Sequence, residues 1–590
     1  MAKPSWKITQ MIGGYRNKTD KSKLPAGILV DGSKNVVSTD GELITTRKGY
    51  TLLGASSTAA TQIEGSFEWD TSSGTQRALR SYDDELEVLI SGTWTRILDS
   101  WTAVDFQFAV YWDDAEAEDI LFFVNGDNNL YSWSGGLAII DSTTANTIKK
   151  TGTATWAEAR FIATGTNYDK KVVIDGTTYT YTGGETTTTL TGVTPDPSGE
   201  TDGDNVIQKI TTTANKPAST DFQNDSIAVL NNQLWVGSTK HNTVYASKVN
   251  DFTTYAPSAP RAVGEGIEFN LDAPFVGFQV QEDNMYISAG KSQWYQVVKQ
   301  ISSDNTLEEV IVKRLKSGTD QGALSQNAIG TIKNNIVFLT NEVTLDTLGR
   351  IENVDTPQNK PLSDPIKVDF DFYTWTTTAH MKYYKNNLYI TVPSNNTVRV
   401  YNIEKGFWEA PWTMPAGRLA IIDGDLCLHS NSAPETYTML SGYNDNTYPI
   451  ESIARFSYQN FGSRVTKKQF DEWYNEGYIQ ANTALTRTLY FEYRGVNKID
   501  YKIFKGRNEK VLSLPGPGGI GKSGLGKENF AGSSDQDDLR KFRWIDEIQP
   551  YPFYEMLVEY SSNNADQRWS ILAFGANVYD ASVDNNELKE

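Results

Sequence analysis

The residues most suggestive of chemistry are Gly516-Pro-Gly-Gly-Ile-Gly521-Lys522-Ser523, a literal G-x-x-x-x-G-K-S. In a nucleotide-binding loop, backbone N–H groups of such a run cradle phosphates while the Lys and Ser meet phosphate and Mg²⁺. That chemistry needs a strand before the loop and a helix opening directly after it. Val511-Leu512 could supply the strand, but Gly524 and Gly526 make a poor helix start. The run therefore reads as a glycine loop and not as an ATPase site. Two acidic groups, Asp113-Asp114-Ala-Glu116-Ala-Glu118-Asp119 and Asp196/Asp202/Asp204, hint at calcium. Neither carries the D-x-[DN]-x-[DN]-G pattern with its later Glu, so both read as solvated loop charge. His241, His380 and His429 are widely separated and show no metal-ligand spacing. No G-x-S-x-G elbow is present for a Ser/His/Asp triad. A glycosidase needs two carboxylates at a set separation, and none of the 73 acidic residues stands out as one of such a pair. The expectation is a protein with no catalytic residues, no cofactor and no metal.

Composition sets the frame for these residues. The 590-residue chain carries 54 basic and 73 acidic residues, a net charge of −19. DNA-gripping proteins concentrate Lys and Arg, because neutralised phosphates release counterions. The opposite sign here argues against a DNA clamp. Cys427 is the single cysteine, so no intrachain disulfide is expected and a reducing compartment suits the chain. The N-terminal MAKPSWKITQMIGG has no apolar h-region, and no run of about 18 apolar residues exists to span a bilayer. These features suggest a soluble protein made in the cytosol.

The elements that must position any site are strands. Aromatics make up 12% of the chain (15 Trp, 30 Tyr, 24 Phe), residues that fit a pleated, half-buried surface. In NNLYITVPSNNTVRVYNIEKGFWEAPW (386–412), Leu388, Ile390 and Val392 alternate with Tyr389 and Thr391, Ser394-Asn395-Asn396 turns the chain, and Val398–Tyr401 returns. A short polar turn followed by an apolar strand recurs at Leu234, Met285, Ile336 and Leu388, steps of 51, 51 and 52 residues. Leu426 follows 38 later. A period of this size is the mark of propeller blades. Adding Leu86 and Ile120 gives seven anchors, so the expected fold is all-β, a β-propeller of about six to eight blades. The recurrent Trp94, Trp133, Trp235, Trp294, Trp408 and Trp412 then read as packing between blades.

The expected organisation has five parts. Residues 1–60 form an extended, glycine-punctuated arm, too poor in apolar residues to stand alone and so expected to dock on a neighbour. Residues 61–142 hold the first blades, and 143–218 a small inserted β domain with a hairpin across Asp175-Gly176. Residues 219–445 complete the propeller. Residues 446–590 form a β-sandwich-like domain ending in the acidic tail Asp584–Glu590.

Several stretches resemble the tail tubular protein B or nozzle family of short-tailed bacteriophages and related propeller tail proteins. In the arm the matching residues are Leu24, Pro25, Gly27, Asn35, Val36, Gly41, Arg47, Gly49 and Tyr50. In NNQLWVGSTKHNTVYASKVNDFTTY (231–255) they are Tyr245, Ser247, Asp251 and Phe252. The stretch NNLYITVPSNNTVRVYNIEKGFWEA and the closing strand, Ser-Ser-Asn-Asn and Trp strand (559–575) fit as well. The resemblance touches about half of the chain, in pieces whose order agrees. It implies a virion structural protein, made in the host cytoplasm, forming a homo-oligomeric ring, commonly six copies, around the tail channel. Adaptor and fibre proteins would be its neighbours, and DNA would pass without specific binding. Two other readings stay open: a receptor-binding propeller of the tail tip recognising host-surface glycans, and, less favoured, a propeller glycosidase.

Overall fold

The computed structural model describes residues 6–40, 42–54, 61–98, 105–114, 117–126, 130–161, 170–213, 222–255, 264–301, 307–315, 321–333, 335–348, 361–461, 466–470, 472–480, 483–493, 496–505, 539–547, 553–564 and 568–580. The glycine loop 516–523, Glu116, the turn 127–129 and the acidic tail lie outside them.

Seven antiparallel sheets follow one another along the chain. Blade 1 is built from Gly65–Asp70, Gln76–Tyr82, Glu85–Ile90 and Thr93–Leu98. The first strands of the other six blades are Gln107–Asp113, Ser226–Leu230, Phe275–Gln281, Ile329–Ile332, Met381–Tyr384 and Leu419–Ile422. Each of these first strands packs against the next, and Leu419–Ile422 packs against Gly65–Asp70, so the seven form a closed circle. An apolar cluster fills the seam between blades 7 and 1: Ala420, Ile422 and Cys427 against Ala78 and Trp94. The fold is an all-β, seven-bladed propeller.

The sequence signals map onto this ring with one shift of phase. Leu234, Met285, Ile336, Leu388 and Leu426 all lie on the second strand of their blades, as does Ile120. Leu86 lies on the third strand of blade 1, whose first hairpin turns instead at Thr71–Gly74. Asn231/Asn232 and Lys385/Asn386 have positive φ at both turn residues, the geometry that favours Asn in tight hairpins. All six recurrent tryptophans are buried in seams: Trp94 between blades 7 and 1, Trp133 between 1 and 2, Trp235 between 3 and 4, Trp294 between 4 and 5, and Trp412 between 6 and 7. Trp408 joins blade 6 to the largest core.

Blade 2 is interrupted. After Leu130–Trp133 the chain leaves into a six-stranded sheet spanning Leu137 to Gln208, and returns to supply the outer strand Thr211–Thr213. The insertion has its own core around Trp156, Phe161, Ile148 and Val172. Its entry and exit are paired to each other, Leu137 opposite Ile207.

The N-terminal arm docks on its own chain rather than standing apart for a neighbour. Val36–Thr39 and Glu42–Thr46 form a hairpin that joins Trp569–Ala576, and Trp6–Ile8 pairs with the same strand. Tyr50–Leu52 completes blade 7 against Thr436–Met439. Two sheets then face each other: the arm strands with Trp569–Ala576, Glu472–Gln480 and Leu539–Glu547, and Tyr448–Arg455 with Glu555–Asn564, Ala484–Tyr493 and Val496–Lys505. Trp473, Trp569, Phe574, Phe456, Tyr560 and Leu489 fill the core between them, which is continuous with the seam between blades 5 and 6.

A titratable joint lies where the arm meets blade 6. The Glu409 carboxylate accepts the Ser38 N–H at 3.1 Å and is buried, which pushes its pKa up from 4.5 to about 7 against the pull of that hydrogen bond, Lys405 and Asn402. Between those two values the folded state keeps a proton that the unfolded chain has released, so stability falls as pH rises through the window. The expected loss is on the order of 3 kcal/mol, complete above about pH 7. Glu409→Gln is expected to flatten this dependence and to melt no lower than the parent at pH 8. Thermal midpoints at pH 5 and pH 8 check it, and equal slopes for parent and variant would refute the assignment.

Candidate functional site

The first strands of the blades all run in one direction, so the residues just before them meet at one mouth of the central channel. Glu64, Asp105, Asp225, Pro274, Gln326, Asn327, Thr377 and Arg418 occupy those positions. Many of them rim a depression of about 500 Å³ floored by Phe275, Val276 and Leu324.

The polar groups here are bonded mainly to one another, across the channel. Arg418 of blade 7 donates through Nη2 to Asp105 Oδ1 of blade 2 and through Nη1 to Asn327 Oδ1 of blade 5, the latter at 3.5 Å. Gln107 Nε2 donates to the same Asn327 oxygen at 3.0 Å, and Asn327 Nδ2 donates to Asp105 Oδ2 at 3.3 Å. Three non-adjacent blades thus meet in a polar plug. Beside it, Gln326 Oε1 accepts from Ser226 Oγ and the Phe278 N–H at 2.9 and 2.6 Å, and its Nε2 donates to the Phe278 carbonyl at 2.8 Å. Asp225 Oδ2 accepts from Thr239 N and Oγ1 at 2.6 and 2.7 Å.

Electrostatics agree with an enclosed structural cluster. Burial lowers the Arg418 pKa, opposed by Asp105 and Glu64. Burial raises that of Glu64, helped by Asp105 and opposed by Arg418. His380 and His429 lie close enough to feel Arg418 and are kept neutral: burial, with Arg80 and Arg418, takes His429 down to about 3, and burial, with Arg418 and Lys382, holds His380 well below its usual range. His429 Nδ1 is 3.0 Å from Thr436 Oγ1. A neutral imidazole locked in this way is suited to packing, not to proton shuttling near neutral pH.

The other residues singled out in the sequence divide between joints and surface. Asp119 accepts from Trp69 Nε1 at 2.5 Å and the Ser72 N–H at 2.9 Å, and lies 3.1 Å from Arg160. Burial alone would raise its pKa, but these partners lower it. Arg160 also donates to the Ser134 carbonyl at 2.6 Å, so this acid pins the insertion onto blades 1 and 2. His241 stacks on Phe222, ring centroids 5.5 Å apart. Asp204 comes together with Asp175 and Glu200 on the insertion, their oxygens within 4.8 Å of one another, with Asp175 exposed and the other two half-buried. Asp196 instead caps the Ser198 N–H at 2.9 Å. The acid trio has the donor type for a hard cation. Glu200 and Asp204 already accept from Tyr179 and the Thr201 N–H.

Sequence reading missed the plug. Asp105, Asn327 and Arg418 are single polar residues with no motif around them. The signal that exposes them is phase: once the repeat is aligned on the second strand of each blade, they stand one to two residues before, or at the step into, the first.

No protein-family model matches the chain, and no curated protein matches it. Among solved structures it is similar to the computationally designed Ika8 protein, at 12% identity over 66% of this chain and 99% of that one with a TM-score of 0.31. It is also similar to a chain of a nidogen/laminin complex, at 10% identity over 57% of this chain and 92% of that one with a TM-score of 0.27. Neither likeness is close enough to carry an argument about function.

Proposed function

We propose that this chain is a structural protein of a bacteriophage tail, a nozzle or tail-tube-end ring component that forms a conduit for genome ejection and performs no catalysis. The observation that supports it best is the work done by the residues that carry the resemblance to the nozzle family. Asn35 and Arg47 tie the arm to blade 6 and to Asp445 at the entry of the sandwich. A Cβ on Gly49 would lie 1.7 Å from the Asn444 carbonyl oxygen, and Tyr50 opens the strand that closes blade 7. Ser247 Oγ accepts the Leu234 N–H at 2.9 Å, and Phe252 packs against Tyr111 and Phe122 in the seam of blades 2 and 3. These are framework positions, as expected of residues that serve an architecture and not a reaction.

The polar plug constrains how such a conduit is made. Direct hydrogen bonds join Arg418, Asp105 and Asn327 across the propeller's centre, so in this reading the conduit would run between copies of the chain and not through one propeller. The net charge of −19 suits a wall that repels phosphate.

Light scattering followed by electron microscopy, on the purified protein alone and with its neighbouring tail proteins, tests the reading. A ring with a central hole is expected under at least one of these conditions. A protein that stays compact in both and binds host-cell glycans instead would transfer the assignment to the receptor-binding class.

A further inference from the structure

The strand Val496–Lys505 is the last of its sheet, and among the described residues it pairs with Ala484–Tyr493 alone. Among the described residues its outer edge is left as a strand edge ten residues long. Proteins protect such edges by shortening, bulging, covering or charging them. Here the face turned away from the core carries Ile499, Tyr501 and Ile503, which are 55%, 70% and 47% exposed. Further along the same face the sheet is covered: Leu24, Ile28 and Val30 of the arm pack on Leu557, with Tyr490 at the margin. The apolar row at 499–503 continues that covered surface, and among the described residues nothing covers it.

The order of residues along the edge is self-complementary. Ile499-Asp500-Tyr501-Lys502-Ile503 reads as a palindrome in which the two charges exchange sign. An antiparallel pair of two such strands about a twofold axis through Tyr501 sets Ile499 opposite Ile503, Tyr501 opposite Tyr501, and Asp500 opposite Lys502 twice. Cross-strand pairs of these kinds, apolar with apolar and acid with base, stabilise a sheet. A shift of register by two residues would set Lys502 opposite Lys502 or Asp500 opposite Asp500, so the charges select the centred pairing.

We propose that Val496–Lys505 is a docking edge for a second copy of this chain, which adds its own Val496–Lys505 antiparallel and makes one sheet continuous through a twofold dimer. The proposal is independent of the tail reading: a twofold contact produces pairs, whereas a ring needs a separate head-to-tail surface.

The full-length chain is the test sample. Sedimentation velocity across a dilution series is expected to show a dimer that dissociates on dilution. Lys502→Glu places acid opposite Asp500 at both symmetry-related positions and is expected to raise the dissociation constant by about tenfold. It sits opposite Arg487, which already pairs with Asp500 at 2.6 Å, so added acid there keeps the fold. Tyr501→Cys is expected to form a covalent dimer under oxidation or with a short bis-maleimide, because residue 501 faces its own copy. Tyr448→Cys, equally exposed at the other end of the sheet, is expected not to, and the native Cys427 is buried. A monomer at every concentration overturns the proposal. So does an oligomer, ring or otherwise, that Lys502→Glu leaves intact and Tyr501→Cys does not cross-link.

Discussion

Arg47→Met is expected to lower the stability of the protein by about 3–5 kcal/mol and to release the arm to proteolysis. The guanidinium is fully buried and uses every edge. It donates to both carboxylate oxygens of Asp445 at 2.8 and 2.6 Å, to Asn35 Oδ1 at 2.9 Å, and to the carbonyls of Lys48 and Thr413 at 3.0 Å each. It also lies over the Trp412 ring at 5.8 Å. Methionine fills much of the volume but takes the Arg47 donor from five acceptor oxygens, of which Asn35 Oδ1 keeps the Thr413 N–H. The heaviest cost is the Asp445 carboxylate, whose pKa burial already raises against the pull of Arg47. Without the cation the folded state favours the protonated acid more strongly still. The variant is therefore expected to be least impaired at low pH and to lose ground as pH rises past the unfolded value of 3.8. Urea midpoints at pH 4.5 and pH 8, with limited proteolysis, measure this. Adding Asp445→Leu should recover much of the loss, since removing both members of a buried ion pair costs far less than removing one. A double variant no more stable than Arg47→Met would contradict this explanation.

Trp408→Ala is the second large effect, also about 3–5 kcal/mol. The indole is fully buried and sits where blade 6, the arm and the 361–375 segment converge. Its Nε1 donates to the Leu362 carbonyl at 2.8 Å, its backbone carbonyl accepts the Tyr15 N–H at 2.7 Å, and its ring packs on Phe370 and Tyr401. Arg399, itself buried and paired with Asp369 at 3.0 Å, lies 4.9 Å from the Tyr15 ring and 5.8 Å from Trp408. Alanine removes the indole volume, orphans the Leu362 oxygen and lets water reach a buried ion pair. Phe at the same position is expected to keep the packing and lose only the hydrogen bond, about 1 kcal/mol. Comparing the denaturation midpoints of the two variants separates these parts, and equal losses would show that packing is not the main term.

The repeat was legible because every blade must bury one face of its second strand, which forces apolar residues at Leu234, Met285, Ile336, Leu388 and Leu426 after a turn that wants Asn, Asp or Gly. Blade 1 was read one strand late because its first hairpin turns on Thr71–Gly74, whereas Asp83-Asp84 in its second carries the stronger turn signal. The arm hid its partners. Val36–Thr39 pairs locally, but Glu42–Thr46 and Tyr50–Leu52 pair with strands several hundred residues away, and local pattern says nothing about such pairings. The plug was hidden for a related reason: Asp105, Asn327 and Arg418 converge only after seven sheets have closed.

That closure has a consequence for synthesis. The strand that latches blade 7, Tyr50–Leu52, leaves the ribosome well before its partner Thr436–Met439, with all seven first strands of the blades made in between. Until then Tyr50–Leu52 waits unpaired, and the growing propeller is a crescent with two raw ends. Contacts of such long sequence separation carry a high loop-closure cost and slow the final step. The nascent chain is thus exposed to mispairing for most of its translation, and it benefits from any partner, chaperone or sister chain, that shields the open crescent until the latch arrives.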